Sequence, residues 1–154
     1  MATCLRPARP DEAQALSELC MISKAYWGYD AAFMKACRDE LTIRPTDFDN
    51  SKICVAEQDG QIAGMAQLIL DGDKAELDKL YVHPDFIGAG IGRALFDWAT
   101  GEARSSGAVC MTIDADPDAA AFYRRMGAAD DGQSPSGSIP GRFLPKLRVD
   151  LLAD

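Results

Sequence analysis

The sequence predicts a mixed α+β fold, in which a mostly antiparallel sheet of about six or seven strands is flanked by about four helices. Residues 51–82 alternate apolar and polar positions with a period of two, which is typical of consecutive strands. The segment that begins at residue 91 has helical spacing and leads into an almost wholly apolar strand. A strand, a helix and a further strand in that order favour a right-handed parallel crossover inside the otherwise antiparallel sheet.

The first 50 residues predict one strand followed by two helices. Residues 3–8 form the short strand. Pro10 then occupies a first-turn position with acidic residues behind it, which is typical of a helix start. Residues 30–42 predict the second helix, and the aromatic stretch 26–29 (Tyr-Trp-Gly-Tyr) separates the two helices.

The period-two region predicts three strands joined by tight turns. Residues 59–60 (Asp-Gly) and 71–73 (Asp-Gly-Asp) supply turn chemistry at the two junctions. Because successive side chains of a strand point to opposite faces, we expect one face of the middle strand to carry Ile62, Gly64, Ala66, Leu68 and Leu70.

The last third of the chain predicts a helix, a strand, a short helix and a final strand. The first helix turns Ile91, Leu95 and Trp98 inward, and the apolar strand after it indicates burial on both faces. Pro117 and Gly127 bound the short helix. Residues 131–141 predict a turn-rich loop, and residues 146–153 predict the last strand.

Length and composition narrow the class of protein. Residues 1–154 have the length of one domain, and no apolar run approaches the roughly 18 residues that a membrane span needs. The first residues lack the apolar stretch of a signal peptide, so we expect a cytoplasmic protein with no membrane partner. The net charge of −8 argues against nucleic-acid binding and is compatible with a cationic substrate.

Five scattered cysteines predict neither a disulfide framework nor a zinc site, and we expect no metal. The chain contains no Cys-x-x-Cys pair, which is the usual spacing for such sites. The cysteines are Cys4, Cys20, Cys37, Cys54 and Cys110.

The stretch from Val82 to Gly92 predicts an anion site. Gly88, Gly90 and Gly92 remove side chains where the chain turns, so a ligand can approach the backbone. The first N–H groups of the following helix have no intrahelical partner and lie at the positive end of its dipole. Together these groups can hold a diphosphate without a lysine, and Arg93 could add one contact.

Other classes of glycine-rich turn fit less well. A P-loop requires Gly-Lys-Ser/Thr, which does not follow these glycines. A dinucleotide fingerprint would place its third glycine at residue 93, although Asp114 would suit a ribose-binding acid. An ordinary structural turn is the remaining alternative if the glycines are considered alone.

Residues 76–99, followed by residues 119–128, resemble the GNAT superfamily of acetyl-coenzyme A-dependent N-acetyltransferases. Gly90 and Gly92, with Gly88 as an extra glycine, match the first motif of that family. The second motif is matched by Ala119, Phe122, Tyr123 and Gly127. The chain departs from the family pattern at Ile87, where an Arg or Gln is usual, and at Asp116, where an Asn is usual.

The resemblance implies acetyl-CoA as a co-substrate, bound at a splay between the fourth and fifth strands. The pantetheine arm would pair with the fourth strand, and the diphosphate would lie on the glycine turn. The coenzyme-binding positions implied in this way are Leu80, Tyr81, Val82, Ile87, Gly88, Ala89, Gly90, Ile91, Gly92, Arg93, Asp116 and Tyr123.

The resemblance also implies the catalytic groups. Tyr123 lies where family members carry a tyrosine that serves the departing thiolate, and Glu76 lies where some carry a glutamate base. Asp78 lies two residues further along the same strand and could share the role. Neighbouring carboxylates raise each other's pKa, which favours a base near neutral pH. Three alternatives stay open: Tyr123 as a core aromatic, the acidic pair as a solvated face, and ordered water as the base.

The resemblance is less specific about the residues that would bind the acceptor amine. Tyr26, Trp27 and Tyr29 fall where the family covers its acceptor, and they could form an aromatic wall for a cationic group. The alternatives are that they pack the helices together or against a second subunit of a homodimer. Residues 137–145 could close the same mouth, with Arg142 recognising an acceptor carboxylate.

These observations favour an N-acetyltransferase that acts on a primary amine of a small molecule or peptide by direct attack in a ternary complex. A non-catalytic acyl-CoA-binding or sensing module is the alternative from another class. A dinucleotide-dependent oxidoreductase is a third interpretation.

Overall fold

A computed structural model describes residues 3–152 and contains a mixed seven-stranded sheet with the strand order β1-β2-β3-β4-β5-β7-β6. The strands are β1 (Thr3–Pro7), β2 (Lys52–Gln58), β3 (Gln61–Asp71), β4 (Lys74–Val82), β5 (Cys110–Asp114), β6 (Ala129–Pro135) and β7 (Phe143–Asp150). The helices are α1 (Ala13–Ala25), α2 (Ala31–Leu41), the single-turn α3 (Asp47–Asn50), α4 (Ile91–Ser105) and α5 (Ala120–Arg125). Short 3₁₀ turns at Pro10–Glu12 and Pro84–Phe86 precede α1 and the glycine turn.

The sheet confirms the predicted mixed topology. Every neighbouring pair of strands is antiparallel except β4 and β5, which are joined in parallel through α4. Helices α1 and α2 cover one face, where Leu16, Leu41 and Met65 are buried, and α4 and α5 cover the other, where Leu68, Leu95 and Met111 are buried. Apolar side chains therefore pack against both faces of the central strands. In the part of the chain that the structure describes, no helix is long and apolar enough to cross a membrane.

The strand β6 lies where the sequence predicted the start of a loop. Most of its residues are exposed, and it forms the outer edge of the sheet, where β7 is its one partner among the described strands. Such a strand is held by main-chain hydrogen bonds, so its polar, Gly- and Ser-containing sequence carries no alternating pattern. The true loop is shorter, at residues 136–142.

A β-bulge overturns the expectation that Ile62 shares a face with the other apolar residues of β3. Ala56 pairs with Gly64 and Glu57 with Ile62, which leaves Ala63 as an extra residue. An extra residue reverses the side-chain alternation, so Ile62 packs on the α1–α2 face. Gly64 stays on the α4 face, where a Cβ atom would lie 2.9 Å from Ile91 Cγ2, so glycine permits the close approach of α4.

A buried ion pair joins the 3₁₀ turn at Pro10–Glu12 to the strand β1. Glu12 is 8% exposed and accepts hydrogen bonds from Arg6 Nη2 at 2.7 Å and from the Arg9 backbone N–H at 2.8 Å. The Arg6 guanidinium also contacts Glu57 of β2 at 3.1 Å. Chiefly through the hydrogen bond from Arg6, the pKa of Glu12 falls to about 2.

Candidate active site

The strands β4 and β5 separate after only three residue pairs. Lys74, Ala75 and Glu76 pair with Cys110, Met111 and Thr112, and the pairing then ends. From residue 77 onward the edge of β4 that faces β5 has no strand partner among residues 3–152. Alternate main-chain groups along such an edge are free to pair with an extended ligand. The splay expected between the fourth and fifth strands is therefore present.

A second β-bulge decides which side chains of β4 face the splay. Gln67 pairs with Lys79 and Leu68 with Leu77, so Asp78 is the extra residue. Leu77 and Leu80 consequently both pack on the α4 face. Lys79, on the side of β4 opposite Leu80, faces α1 and α2. Bulges occur often beside active sites because they re-aim a side chain.

The glycine turn ends in a set of unpaired N–H groups. Gly88 and Gly90 have φ values of +88° and +82°, which L side chains adopt only under strain. Gly90 caps α4, and the first residue there whose N–H finds an intrahelical carbonyl is Ala94. Within residues 3–152, no acceptor is found for the N–H groups of Gly88, Gly90, Ile91, Gly92 and Arg93. The turn and the dipole of a 15-residue helix thus form an anion-binding cradle.

The side chains around the cradle leave it open. Ile87 is 53% exposed, and Ala89 and Arg93 are also exposed. Gly92 lies against α5, since a Cβ atom there would be 3.2 Å from Phe122 Cζ. The residues present therefore fit a diphosphate held mainly by main-chain donors. Ile87 contributes no polar group to it.

Tyr123 lies in the core beneath the splay, with only 6% of its surface exposed. Its ring packs against Phe122 and Phe96, at centroid distances of 5.2 and 6.2 Å. Its hydroxyl donates no hydrogen bond within the described residues. Burial, with a smaller contribution from the charge of Asp116, raises the pKa of Tyr123. The group is accordingly a neutral hydrogen-bond donor at physiological pH.

A pocket of about 110 Å³ on the α1–α2 side of the splay brings the predicted acids together. We call it the acidic pocket. The charged residues in its lining are Glu40, Glu76, Asp78, Lys79 and Asp114. A larger cavity of about 460 Å³, between Leu5 of β1 and Trp98 of α4, contains none of the predicted site residues.

The two predicted acids of β4 have different surroundings. Lys79 is 9% exposed and donates from Nζ to Asp78 Oδ2 at 2.7 Å. Glu76 has no cation within ion-pair distance among the described residues. Burial first, and then the charges of Asp78 and Asp114, raise the pKa of Glu76. A carboxylate of this kind is a better proton acceptor than a solvated one.

Of the three predicted aromatic residues, one contacts another predicted site residue, Asp116. Tyr26 and Trp27 are 55% and 48% exposed, pack edge-to-face against each other and lie outside the acidic pocket. Tyr29 instead stacks on Phe33 at 4.1 Å, and its hydroxyl donates to Asp116 at 2.9 Å.

Asp116, a predicted coenzyme contact, is held by protein groups. It accepts from Lys24 Nζ at 3.1 Å, from the Tyr29 hydroxyl and from the Asp118 N–H at 3.0 Å. These contacts join α1, the α1–α2 loop and the end of β5.

Comparison with known proteins agrees with this architecture. The family model described as "Acetyltransferase (GNAT) domain" matches residues 49–127, which include the splay, the cradle and Tyr123. The match covers more than half of the chain, so the chain belongs to the GNAT acetyltransferase family.

Three similar proteins illustrate the likeness. A GCN5-related N-acetyltransferase from Rhodopseudomonas palustris superposes with a TM-score of 0.81 at 26% identity, covering 98% of this chain and 97% of that one. The PaiA N-acetyltransferase from Thermoplasma acidophilum, solved with coenzyme A, gives a TM-score of 0.78 at 17% identity, covering 97% and 99%. An uncharacterized N-acetyltransferase, ycf52, from Pyropia yezoensis is 27% identical over 99 residues, or 64% of this chain and 57% of the relative. The chain matches about half the length of such curated relatives.

Several residues of the site were not identified from the sequence. Lys79 falls on the alternation as an ordinary strand residue, and the bulge that turns it inward has no local signature. Glu40 lies on a helix face that also carries exposed residues, so nothing local assigns it to a pocket. Lys24 lies in the last turn of α1, where lysines are common, and only its tertiary contact with Asp116 assigns it to the site.

Proposed function

We propose that the protein transfers an acetyl group from acetyl-CoA to a primary amine of a small molecule or peptide, by direct attack in a ternary complex. The observation that carries the proposal is the splay of β4 from β5 directly beside a cradle of unpaired N–H groups. One end of that arrangement suits a diphosphate and the other suits an extended amide-containing arm. Acyl-coenzyme A contains both.

The coenzyme would lie with its diphosphate on residues 88–93 and its pantetheine arm along residues 80–82 of β4. Leu80 and Val82 pack against the apolar core on the α4 side. Ile113 of β5 is 2% exposed. These side chains would form a dry wall beside the thioester, and a dry wall limits its hydrolysis.

The acceptor amine would enter through the acidic pocket. Its nitrogen attacks the thioester carbonyl carbon and loses a proton to Glu76, directly or through a water molecule. A main-chain N–H near Val82 would stabilise the oxyanion. When the carbon–sulfur bond breaks, the coenzyme leaves as a thiolate.

Tyr123 would stabilise that thiolate by donating a hydrogen bond. A thiol has a pKa of about 8.5 and a tyrosine about 10, and burial raises the pKa of Tyr123 further. Complete proton transfer from Tyr123 to sulfur is therefore uphill. Hydrogen-bond donation from the neutral hydroxyl is the role that these values favour.

The first experiment is titration calorimetry with acetyl-CoA, followed by a screen of amine pools for release of free coenzyme thiol. We expect acetyl-CoA binding without an amine and thiol release only when a suitable amine is added. Absence of binding at millimolar acetyl-CoA would contradict the proposal. Binding without thiol release from any amine pool would favour the sensing module instead, and tight NAD(H) binding would favour the oxidoreductase.

The single domain, the cytoplasmic location and the homodimer stay predictions from the sequence.

A further inference from the structure

Five side chains from five segments meet at the open end of the splay. We call them the Tyr29 cluster. Its members are Lys24 of α1, Tyr29 of the α1–α2 loop, Phe33 of α2, Asp116 after β5 and Arg142 of the β6–β7 loop.

Arg142 is held in place by contacts that leave most of its donors unused. Its guanidinium carbon lies 4.8 Å from the Phe33 ring centroid, and Nη2 donates to the Tyr29 hydroxyl at 3.1 Å. A guanidinium has five N–H donors, and no further acceptor for them is found within residues 3–152. The side chain is only 20% exposed. A mostly buried guanidinium with spare donors suits a planar anion such as a carboxylate.

Asp116 does not satisfy these donors. Its nearest oxygen lies 3.9 Å from Arg142 Nη2, which is too long for a hydrogen bond. Both Asp116 oxygens lie 2.9 Å from the Tyr29 hydroxyl and share its single proton, and Lys24 Nζ pairs with Oδ2 at 3.1 Å. The Asp118 carboxylate lies 3.3 Å from the Tyr29 hydroxyl, and the Asp118 N–H donates to Asp116. Asp116 is therefore hydrogen-bonded to Lys24 and not to Arg142.

The loop that carries Arg142 is ordered by its own hydrogen bonds. Ser136 Oγ accepts from the N–H groups of Ser138 and Ile139, and the Ser136 N–H donates to the Arg142 carbonyl at 2.7 Å. Ile139 packs against the core on the α1–α2 side. Arg142 is thus positioned before any ligand arrives, which lowers the entropic cost of binding.

The same loop connects the Tyr29 cluster to the acidic pocket. Gly137 lies against Glu40, while Arg142 lies over Phe33, so the loop runs beside α2. Phe33 and Glu40 are separated by about 10 Å along the helix axis, at a rise of ~1.5 Å per residue. One elongated acceptor could therefore present an amine to the acidic pocket and its other end to Arg142.

We propose that Arg142, supported by Lys24 and Tyr29, binds a carboxylate on the acceptor, so that the preferred acceptor is an amine with a carboxylate at its far end. This inference rests on the proposed acetyl transfer. Arg142 is then the residue that determines acceptor specificity, while the chemical step depends on β4 and Tyr123.

The test uses a ladder of ω-amino acids from glycine to 6-aminohexanoate, each paired with its carboxamide, and the α,ω-diamines of matching length. For each pair, kcat/KM is measured at saturating acetyl-CoA. We expect the carboxylate to exceed its carboxamide by roughly 10- to 100-fold, which corresponds to one charge-assisted contact. The preference should be greatest in the longer members, because the two anchoring regions are well separated.

Arg142→Met should bring the ratio of carboxylate to carboxamide close to one, chiefly by raising the acceptor KM. Arg142→Lys should retain part of the preference, because the charge remains and the planar fork is lost. Arg44→Met is the matched control, because the Arg44 side chain is 58% exposed and lies in the loop after α2. Since the ratio is measured within each variant, a loss of folded protein cancels out.

Two results would overturn the inference: an unchanged ratio in Arg142→Met, or a wild-type preference for diamines over amino acids. The second result would mean that the acidic pocket alone selects the acceptor. Acetyl-CoA binding by calorimetry is measured in every variant. Its absence in the wild type would instead contradict the proposed acetyl transfer.

Discussion

Lys79 donates a hydrogen bond to Asp78 at 2.7 Å. Because of this contact, the two acids of β4, Glu76 and Asp78, differ in their surroundings. Asp78, the extra residue of the bulge, forms an ion pair with a buried ammonium. Glu76 remains without such a partner among the described residues. Its pKa is raised by burial first and by the charge of Asp78 second. We therefore assign the proton-accepting role in the proposed reaction to Glu76.

Replacing Glu76 with Gln should lower kcat by roughly 10²- to 10⁴-fold, the range for loss of a general base. The wild-type kcat/KM should fall as the pH drops through the raised pKa of Glu76, because only the carboxylate accepts a proton, and E76Q should lack that decline. A pH series with one amine acceptor measures both effects.

Asp78→Asn provides the matched control for E76Q. Removing that negative charge should lower the pKa of Glu76, so the decline should move to lower pH while substantial activity remains. If D78N abolished turnover and E76Q did not, Asp78 would be the base. Unfolding temperatures give a second check. A raised folded-state pKa means that ionised Glu76 opposes folding above its unfolded pKa, so E76Q should be at least as stable as the wild type at pH 7.

Tyr123→Phe should reduce kcat by roughly 10²-fold, because the departing thiolate loses its hydrogen-bond donor. The coenzyme dissociation constant should stay close to the wild-type value, since the ring and its packing against Phe96 and Phe122 are retained. Steady-state kinetics and calorimetry on the same preparation separate the two quantities. If Tyr123→Phe had the wild-type kcat, Tyr123 would be a core residue with no role in the reaction.

Gly90→Ala should weaken coenzyme binding by roughly tenfold or more. The new methyl group would strain a residue with φ of +82° and would project into open space beside the cradle. Gly60→Ala is the matched control, because Gly60 has φ of +77° and also has open space at its Cβ position, but it lies in the β2–β3 turn. Both variants should lose about 1 kcal/mol of stability. If the two variants bound acetyl-CoA with equal affinity, the result would argue against coenzyme binding at the cradle.

Glu12→Gln should lower the free energy of unfolding by about 1.5–3 kcal/mol at pH 7, because a charge-assisted hydrogen bond from Arg6 is lost. The pKa of Glu12 is about 2 in the folded protein and near 4.5 for the free side chain. The stabilisation is therefore complete above the unfolded pKa and is lost as the pH falls toward 2. Urea unfolding should show the difference between variant and wild type shrinking below pH 4. The exposed Glu18→Gln should show no such difference.

Much of the fold could be predicted because its signals are local. The alternation of residues 51–82 predicts three strands, and the Asp59–Gly60 turn occurs where expected, with both residues at positive φ. The β4–α4–β5 crossover followed from element order alone. β6 was missed because an edge strand held by backbone hydrogen bonds leaves no apolar pattern. Ile62 was assigned to the wrong face because a single extra residue reverses every side chain beyond it.

The sequence by itself determined the glycine turn before α4 and the order of the strands from β1 to β5, since positive φ values and hydrophobic periodicity depend only on neighbouring residues. The tertiary structure alone decided the charges around the reacting groups. Lys79 meets Asp78 because of a bulge in the register, and Arg142 meets Tyr29 across 113 positions of sequence. Such contacts, and the burial that raises the pKa of Glu76, arise from the packing of distant segments, which no local pattern encodes.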